Sequence, residues 1–165
     1  MNTQTGSSFA TTSSVRVCVA LLACVLIASG ACRESAPPAS PAEGSIEIRG
    51  KQVLVDIADS RAEQAKGLGE RDALAWGTGM YFTYARPGFY SFWMKGMRFS
   101  IDIVFLRENR IVDLFAQVPF EDGGNGPTIR PRSLADGVLE VPAGYAAANG
   151  WQIGDRVRFE RASRD

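Results

Sequence analysis

Apolar and polar residues alternate along much of the chain between Ser45 and Glu160, and the dominant period is two. Ile46 and Ile48, then Val53, Val55 and Ile57, fall on one side of the alternation with Gly50-Lys51 between them, which predicts a β-hairpin. Ser60 stands three residues before Glu63, the spacing of a capping box, so "RAEQAKGL" is expected to be a short helix stopped by Gly67. Four strand-like stretches follow at close spacing: "GMYFTYA", then "GFYSFWM" beyond an expected turn at Arg86-Pro87-Gly88, then "IDIVFLR" and "RIVDLFAQV" joined at Glu108-Asn109. Their β-branched and aromatic content is what favours the strand. From Pro119 to Gly137 prolines and glycines are too frequent for a continuous element, so a long loop is expected. The chain closes with a strand at "VLEVPAG", one or two helical turns at "YAAANG" and a strand at "GDRVRFE". Seven to eight short strands and two short helices predict an α+β, β-rich fold: a compact curled mixed sheet or a partly closed barrel, since closure hides strand edges.

The N-terminal pattern is different. In "SSVRVCVALLACVLIASGAC" one basic residue, Arg16, precedes an apolar run from Val17 to Ala28 and the small residues Ser29 to Ala31. That order is the one found in secretory signals, and the run is shorter than the roughly 20 residues a membrane-spanning helix needs. Residues 1–31 are therefore expected to be a signal peptide. Cys32, after Ser-Gly-Ala, resembles the lipidated cysteine of bacterial lipoproteins, although Ser29 stands where that motif usually carries an aliphatic residue. Lipidation at Cys32 is the preferred expectation, with ordinary cleavage near Ala31 and a retained membrane anchor as the alternatives. Residues 32–44 form a tether, because "RESAPPASPAEG" has too little apolar surface to fold. A single domain is expected over 45–160, with a tail at 161–165. The expected location is the cell envelope, as a lipoprotein facing the periplasm, or else soluble in the periplasm or secreted.

Charge and composition then narrow the chemistry. Without Arg16 the chain keeps 17 Lys and Arg against 18 Asp and Glu, a balance that argues against nucleic acid as a partner. There is no histidine, and all three cysteines lie at or before Cys32, so His-dependent triads and the commonest zinc ligands are missing from the domain. No cofactor or metal is expected. Glu121, Asp122 and Asn125 in "FEDGGNG" do not follow the ligand order of a calcium-binding EF-hand and read as a solvated turn.

The stretch "FYSFWMKGM", Phe89 to Met97, surrounds one lysine with aromatics and methionines. Strand alternation sends Phe92 and Met94 to one face and Trp93 and Lys95 to the other. With Asp102 expected on an adjacent strand, Trp93, Lys95 and Asp102 form either a small polar site walled by aromatics or a structural ion pair with an indole on the lysine stem. Arg71 is read in the same two ways, as a loop anchor or an anion contact, and Arg130 and Arg132 as solvated loop charges.

"VDIADSRAEQAKGLGER", "GMYFTY", "SFWMKGMRFSIDIVFL", "VLEVPAG" and "GWQIGDRV", in that order, resemble the domain of unknown function 192 family. The resemblance implies a compact β-rich fold and places Arg71, Lys95 and Asp102 at motif positions; it implies no activity. Gly69 stands where the family usually has Met, Gly96-Met97 replaces Asn-Thr, and Ser100 replaces Pro. The tail "VPAGYAAANGWQIGDRVRF" also resembles swapped-hairpin DNA-binding proteins, but the charge balance and the export signal oppose that function. The expected function is non-enzymatic binding of a small ligand or an envelope protein through Arg71, Trp93, Lys95 and Asp102. An enzyme using Lys95 as base or nucleophile, and a purely structural envelope lipoprotein, are the alternatives.

Overall fold

The computed structural model describes residues 42–163. The expected signal peptide, Cys32, most of the expected tether and the last two residues lie outside the described residues. The first hairpin forms as the alternation predicts. Strands β1 (Gly44–Ile48) and β2 (Lys51–Ala58) pair antiparallel with Ile46 opposite Val53, around a turn in which Arg49 and Gly50 take φ of 52° and 72°. Helix α1 (Arg61–Lys66) carries the predicted capping box: the Glu63 amide donates to Ser60 Oγ at 3.2 Å and the Ser60 amide donates to Glu63 Oε2 at 3.0 Å. None of its residues is buried. Its hold on the sheet comes instead from Gln64, whose side chain donates to the Thr83 carbonyl at 2.9 Å.

Strand β3 (Thr78–Gly88) runs parallel to β2, so α1 is the crossover of one βαβ unit in an otherwise antiparallel sheet. The expected turn at Arg86-Pro87-Gly88 is not there; β3 continues through it. Pro87 is tolerated because the ladder between β3 and the strand beside it is interrupted between Thr83 and Gly88, where no amide donor is required. The "GFYSFWM" stretch consequently shrinks to β4 (Phe92–Trp93). Strands β5 (Ile101–Arg107) and β6 (Arg110–Val118) form the second hairpin. The expected loop holds one short strand, β7 (Thr128–Ile129), which pairs with β4, and it ends earlier than expected, at β8 (Ala135–Pro142). Helix α2 (Tyr145–Ala148) and β9 (Val157–Arg161) close the chain.

The seven main strands lie in the order β6-β5-β8-β3-β2-β1-β9 and form a curled, half-barrel sheet. Its two edges approach at one end, where Arg110 at the start of β6 bridges Arg156 just before β9. One apolar cluster unites residues from both edges, including Ile111 and Val157, with Ile46, Val55, Val104 and Leu139, and therefore fills the concave side. Tyr145 and Trp151 join it, their rings 5.4 Å apart and nearly perpendicular. The second cluster, with Phe82, Ile103, Phe105 and Val138, occupies the convex side beneath Leu68, Phe92, Met94 and Met97. Strands β5 and β8 are thus buried on both faces, which is why "IDIVF" and "VLEV" carry almost uninterrupted apolar residues.

The long connection before β8 is pinned by Asp113 on β6. Its carboxylate accepts from the Arg132 amide at 2.8 Å and from Nε at 3.1 Å, and also takes Nη2 of the same guanidinium. The Arg132 guanidinium lies 5.5 Å from the Phe115 ring centre. Arg132 is therefore a clamp and not a free loop charge. Burial pushes the Asp113 carboxyl up, but the Arg132 side chain and the Arg132 and Leu114 amides together outweigh it and hold the group below its usual value of 3.8. This contribution to stability is present above that value and is lost as pH falls through the lowered folded-state value. Arg132→Ala is expected to destabilise the fold by about 1–3 kcal/mol and to raise proteolytic cleavage within residues 119–134, measured by urea denaturation and limited digestion.

Candidate functional site

Of the residues singled out above, Asp102 is placed farthest from expectation. It is fully buried on β5, opposite Val141, and belongs to the concave side, whereas its neighbours Ile101 and Ile103 face the convex cluster that Phe92 and Met94 cover. Its Oδ1 accepts from the amides of Gln117 at 2.7 Å and Gly144 at 2.9 Å, and its Oδ2 from the amide of Ala146 at 2.9 Å. The carboxylate thus serves N–H groups at the start of α2 that have no partner within the helix, whose own N-cap, Gly144, has no side chain to do so. It also holds Gln117, which sits at φ 51° where the β5–β6 register slips. The predicted ion pair with Lys95 is absent among the described residues, because strand alternation puts the two side chains on opposite sides of the sheet.

Trp93 and Lys95 do share a face, as the alternation predicts: both are exposed, Trp93 at 58%, while Phe92 and Met94 are buried. After them the chain reverses through Gly96 at φ 72°. This is a backbone position that only glycine and, next best, asparagine adopt readily, so the exchange of the family's Asn for Gly keeps the turn. The Glu70 amide donates to the Gly96 carbonyl at 2.9 Å and binds this reversal to the loop after α1. Between them lies a cavity of about 190 Å³, walled by Phe82, Tyr84, Phe92 and Trp93, with Lys66 and Lys95 in its lining and Glu140 at its base.

Glu140 is the residue that sequence reasoning missed. It lies on β8 between Met80 of β3 and Ile103 of β5, in the middle of the sheet and on its convex side, and is only 5% exposed. Its Oε2 is sealed from solvent and meets no donor or acceptor. Burial pushes the carboxyl up to about 8, with the Arg71 guanidinium pulling weakly the other way. At neutral pH Glu140 is therefore a neutral acid with a proton to donate. Tyr84 stands near it; burial first, then Tyr90 and Glu140, raise its phenol above the usual tyrosine value. The Tyr84 and Tyr90 rings stack at 3.5 Å, which fixes the outer wall. The backbone under Glu140 is close-packed, since a Cβ on Gly79 would come within 2.6 Å of the Glu140 carbonyl oxygen.

Arg71 belongs to an adjoining cavity of about 890 Å³ that shares Lys66, Gly67 and Gly69 with the first. It pairs with Asp56 at 2.8 Å, one strand over from Met80 in the row that leads to Glu140. The structure therefore gathers Trp93, Lys95 and, through its charge, Arg71 around Glu140, and leaves Asp102 on the other side. A protonated carboxyl in an aromatic cavity with two ammonium groups at the lining donates a hydrogen bond to an acceptor and favours negative charge on it.

The DUF192 family model, described as an uncharacterized ACR, matches residues 44–159. The chain belongs to the DUF192 family. A protein of unknown function from Novosphingobium aromaticivorans DSM 12444 is similar in structure, with a TM-score of 0.65 and 28% identity, over 75% of this chain and 91% of that one. A Sinorhizobium meliloti 1021 protein described as a candidate transcription regulator has a TM-score of 0.66 at 24% identity, over 74% of this chain and 98% of its own; that likeness is one of fold alone. Among curated proteins none matches the chain. The DUF192 match begins at Gly44, where β1 begins, and runs into β9, with Glu140 inside the "VLEVPAG" motif.

Proposed function

We propose that this DUF192 chain is an exported, non-enzymatic binding module of the cell envelope, held to the membrane by a lipid on Cys32, and that the Glu140 cavity takes a small anion with an apolar body. The observation that carries the reading is the unpartnered, buried carboxyl of Glu140 beneath four aromatic side chains. A buried polar group without a partner is costly, and a ligand that supplies the acceptor removes the cost. The terminal torsion of a glutamate is soft, so a small turn presents the proton to the cavity. Lys66 and Lys95 select a negative head over a positive one, and the aromatic walls select an apolar body. A volume of about 190 Å³ keeps the ligand small, on the scale of a benzoate.

Benzoate is the probe we would use. It is expected to shift the backbone NMR signals of residues 64–69 and the side-chain signal of Trp93. Lys95→Met is expected to stay folded, because Lys95 is exposed, and to weaken benzoate binding by about ten-fold or more. Benzoate binding equal to the parent's would remove Lys95 from the site. The enzymatic alternative has less support, since the exposed Lys95 lacks the desolvated surroundings that activate a lysine, and Asp102 is not at hand to orient it. The export reading rests on the order of residues before Cys32; labelled palmitate incorporated by the parent and not by Cys32→Ser is the expected result.

A further inference from the structure

The end of the sheet where its two edges meet carries a second, unrelated feature. The turn between β1 and β2, the turn between β5 and β6 and the entry to β9 converge there on a cavity of about 680 Å³ whose lining includes Arg49, Arg110, Arg156 and Arg158. Two of the four are neutralised nearby: Arg49 by Asp155 at 3.2 Å and Arg158 by Glu47 at 3.6 Å. Glu108, also in the lining, pairs with Arg107, which lies outside it.

Arg110 and Arg156 are left facing each other. They are directly opposite in an antiparallel bridge. The flanking hydrogen bonds run from the Ile111 amide to Asp155 and from the Val157 amide to Asn109, so Arg110 and Arg156 form a non-hydrogen-bonded pair. This is the kind of pair in which side chains on one face come closest, and like charges placed so destabilise a sheet. Arg110 donates only to a neutral acceptor, the Gly154 carbonyl, at 2.8 Å, and among the described residues Arg156 meets no carboxylate within 4.0 Å. A sheet closed by two arginines at opposed positions is a poor structural solution and a good start for an anion clamp. Guanidinium forks match the spacing of phosphate oxygens and bind them in pairs.

We infer that Arg110 and Arg156, with Arg49 and Arg158 beside them, bind a phosphate group. The chemistry is shared by free phosphate esters and by the headgroups of anionic phospholipids, and the experiment separates the two. Inorganic phosphate is titrated into the full chain at constant ionic strength, with chloride as the control, and the arginine Nε–Hε NMR signals are followed. In parallel, the chain is co-sedimented with phosphatidylglycerol vesicles and with phosphatidylcholine vesicles. Phosphate is expected to move the Arg110 and Arg156 signals where chloride does not, and the Arg110→Gln/Arg156→Gln variant is expected to lose at least about ten-fold in affinity. Sedimentation with phosphatidylglycerol alone, lost in the same variant, supports the clamp with a lipid headgroup as its source. Equal shifts in phosphate and chloride, with no difference between the two vesicles, would overturn the inference. The single variant Arg156→Gln gives a readout free of any ligand: relief of the like-charge pair leaves its melting temperature equal to or above the parent's, whereas a purely structural arginine would lower it.

Discussion

Asp102→Ala is expected to lose about 3–5 kcal/mol of stability, read from urea denaturation at neutral pH. Three backbone amides, at Gln117, Gly144 and Ala146, would lose the Asp102 carboxylate as acceptor at once, and an orphaned donor away from water costs about 1–3 kcal/mol. A domain of this size has about 5–15 kcal/mol in hand, so the variant is expected to be marginal. Asp102→Asn separates charge from shape. It keeps one acceptor oxygen and forfeits the rest, and is expected to fall between the alanine variant and the parent. An alanine variant as stable as the parent would show that the amides at the start of α2 are served by something other than Asp102.

The second large effect is the pH dependence of folding. The folded-state value of Glu140, about 8, lies above its ordinary 4.5, because burial disfavours the carboxylate. Below 4.5 both the folded and the unfolded chain hold the proton, and Glu140 contributes no pH dependence. Between 4.5 and about 8 only the unfolded chain releases it, so stability falls as pH rises, by up to about 1.4 kcal/mol per pH unit. Above about 8 the folded chain ionises as well and the slope ends. Glu140→Gln removes the titration, and is expected to flatten the profile and to make the variant more stable than the parent near pH 8. The Asp113 contribution runs the opposite way and at lower pH, so the two are separable in one titration.

What the sequence disclosed followed from local rules. The Ser60–Glu63 box, the first hairpin and the split of Phe92 and Met94 from Trp93 and Lys95 depend on neighbours within a few residues, and each is found in the structure. The misplaced features depend on which strands become neighbours. Asp102 looked like the partner of Lys95 because "SFWMK" and "IDIVF" are close in sequence; β4 instead pairs with β7, and the acceptor role of Asp102 is directed at Ala146, 44 residues downstream. Glu140 escaped notice because a glutamate between Leu139 and Val141 reads as the solvent side of an ordinary strand. Only the placement of β8 between β3 and β5, buried on both faces, makes that side an interior. A charged residue inside a nearly continuous apolar strand was the available signal.

The central claim, that Glu140 is a buried neutral acid at the base of an anion pocket, is tested most directly by following the Glu140 side-chain carboxyl carbon by ¹³C NMR as pH is varied, with and without saturating benzoate. A midpoint near 8 in the free protein, moved higher by benzoate because the bound anion accepts a hydrogen bond from the protonated carboxyl and so favours that form, is the predicted result. A midpoint near 4.5, or one that benzoate leaves unmoved, would contradict it.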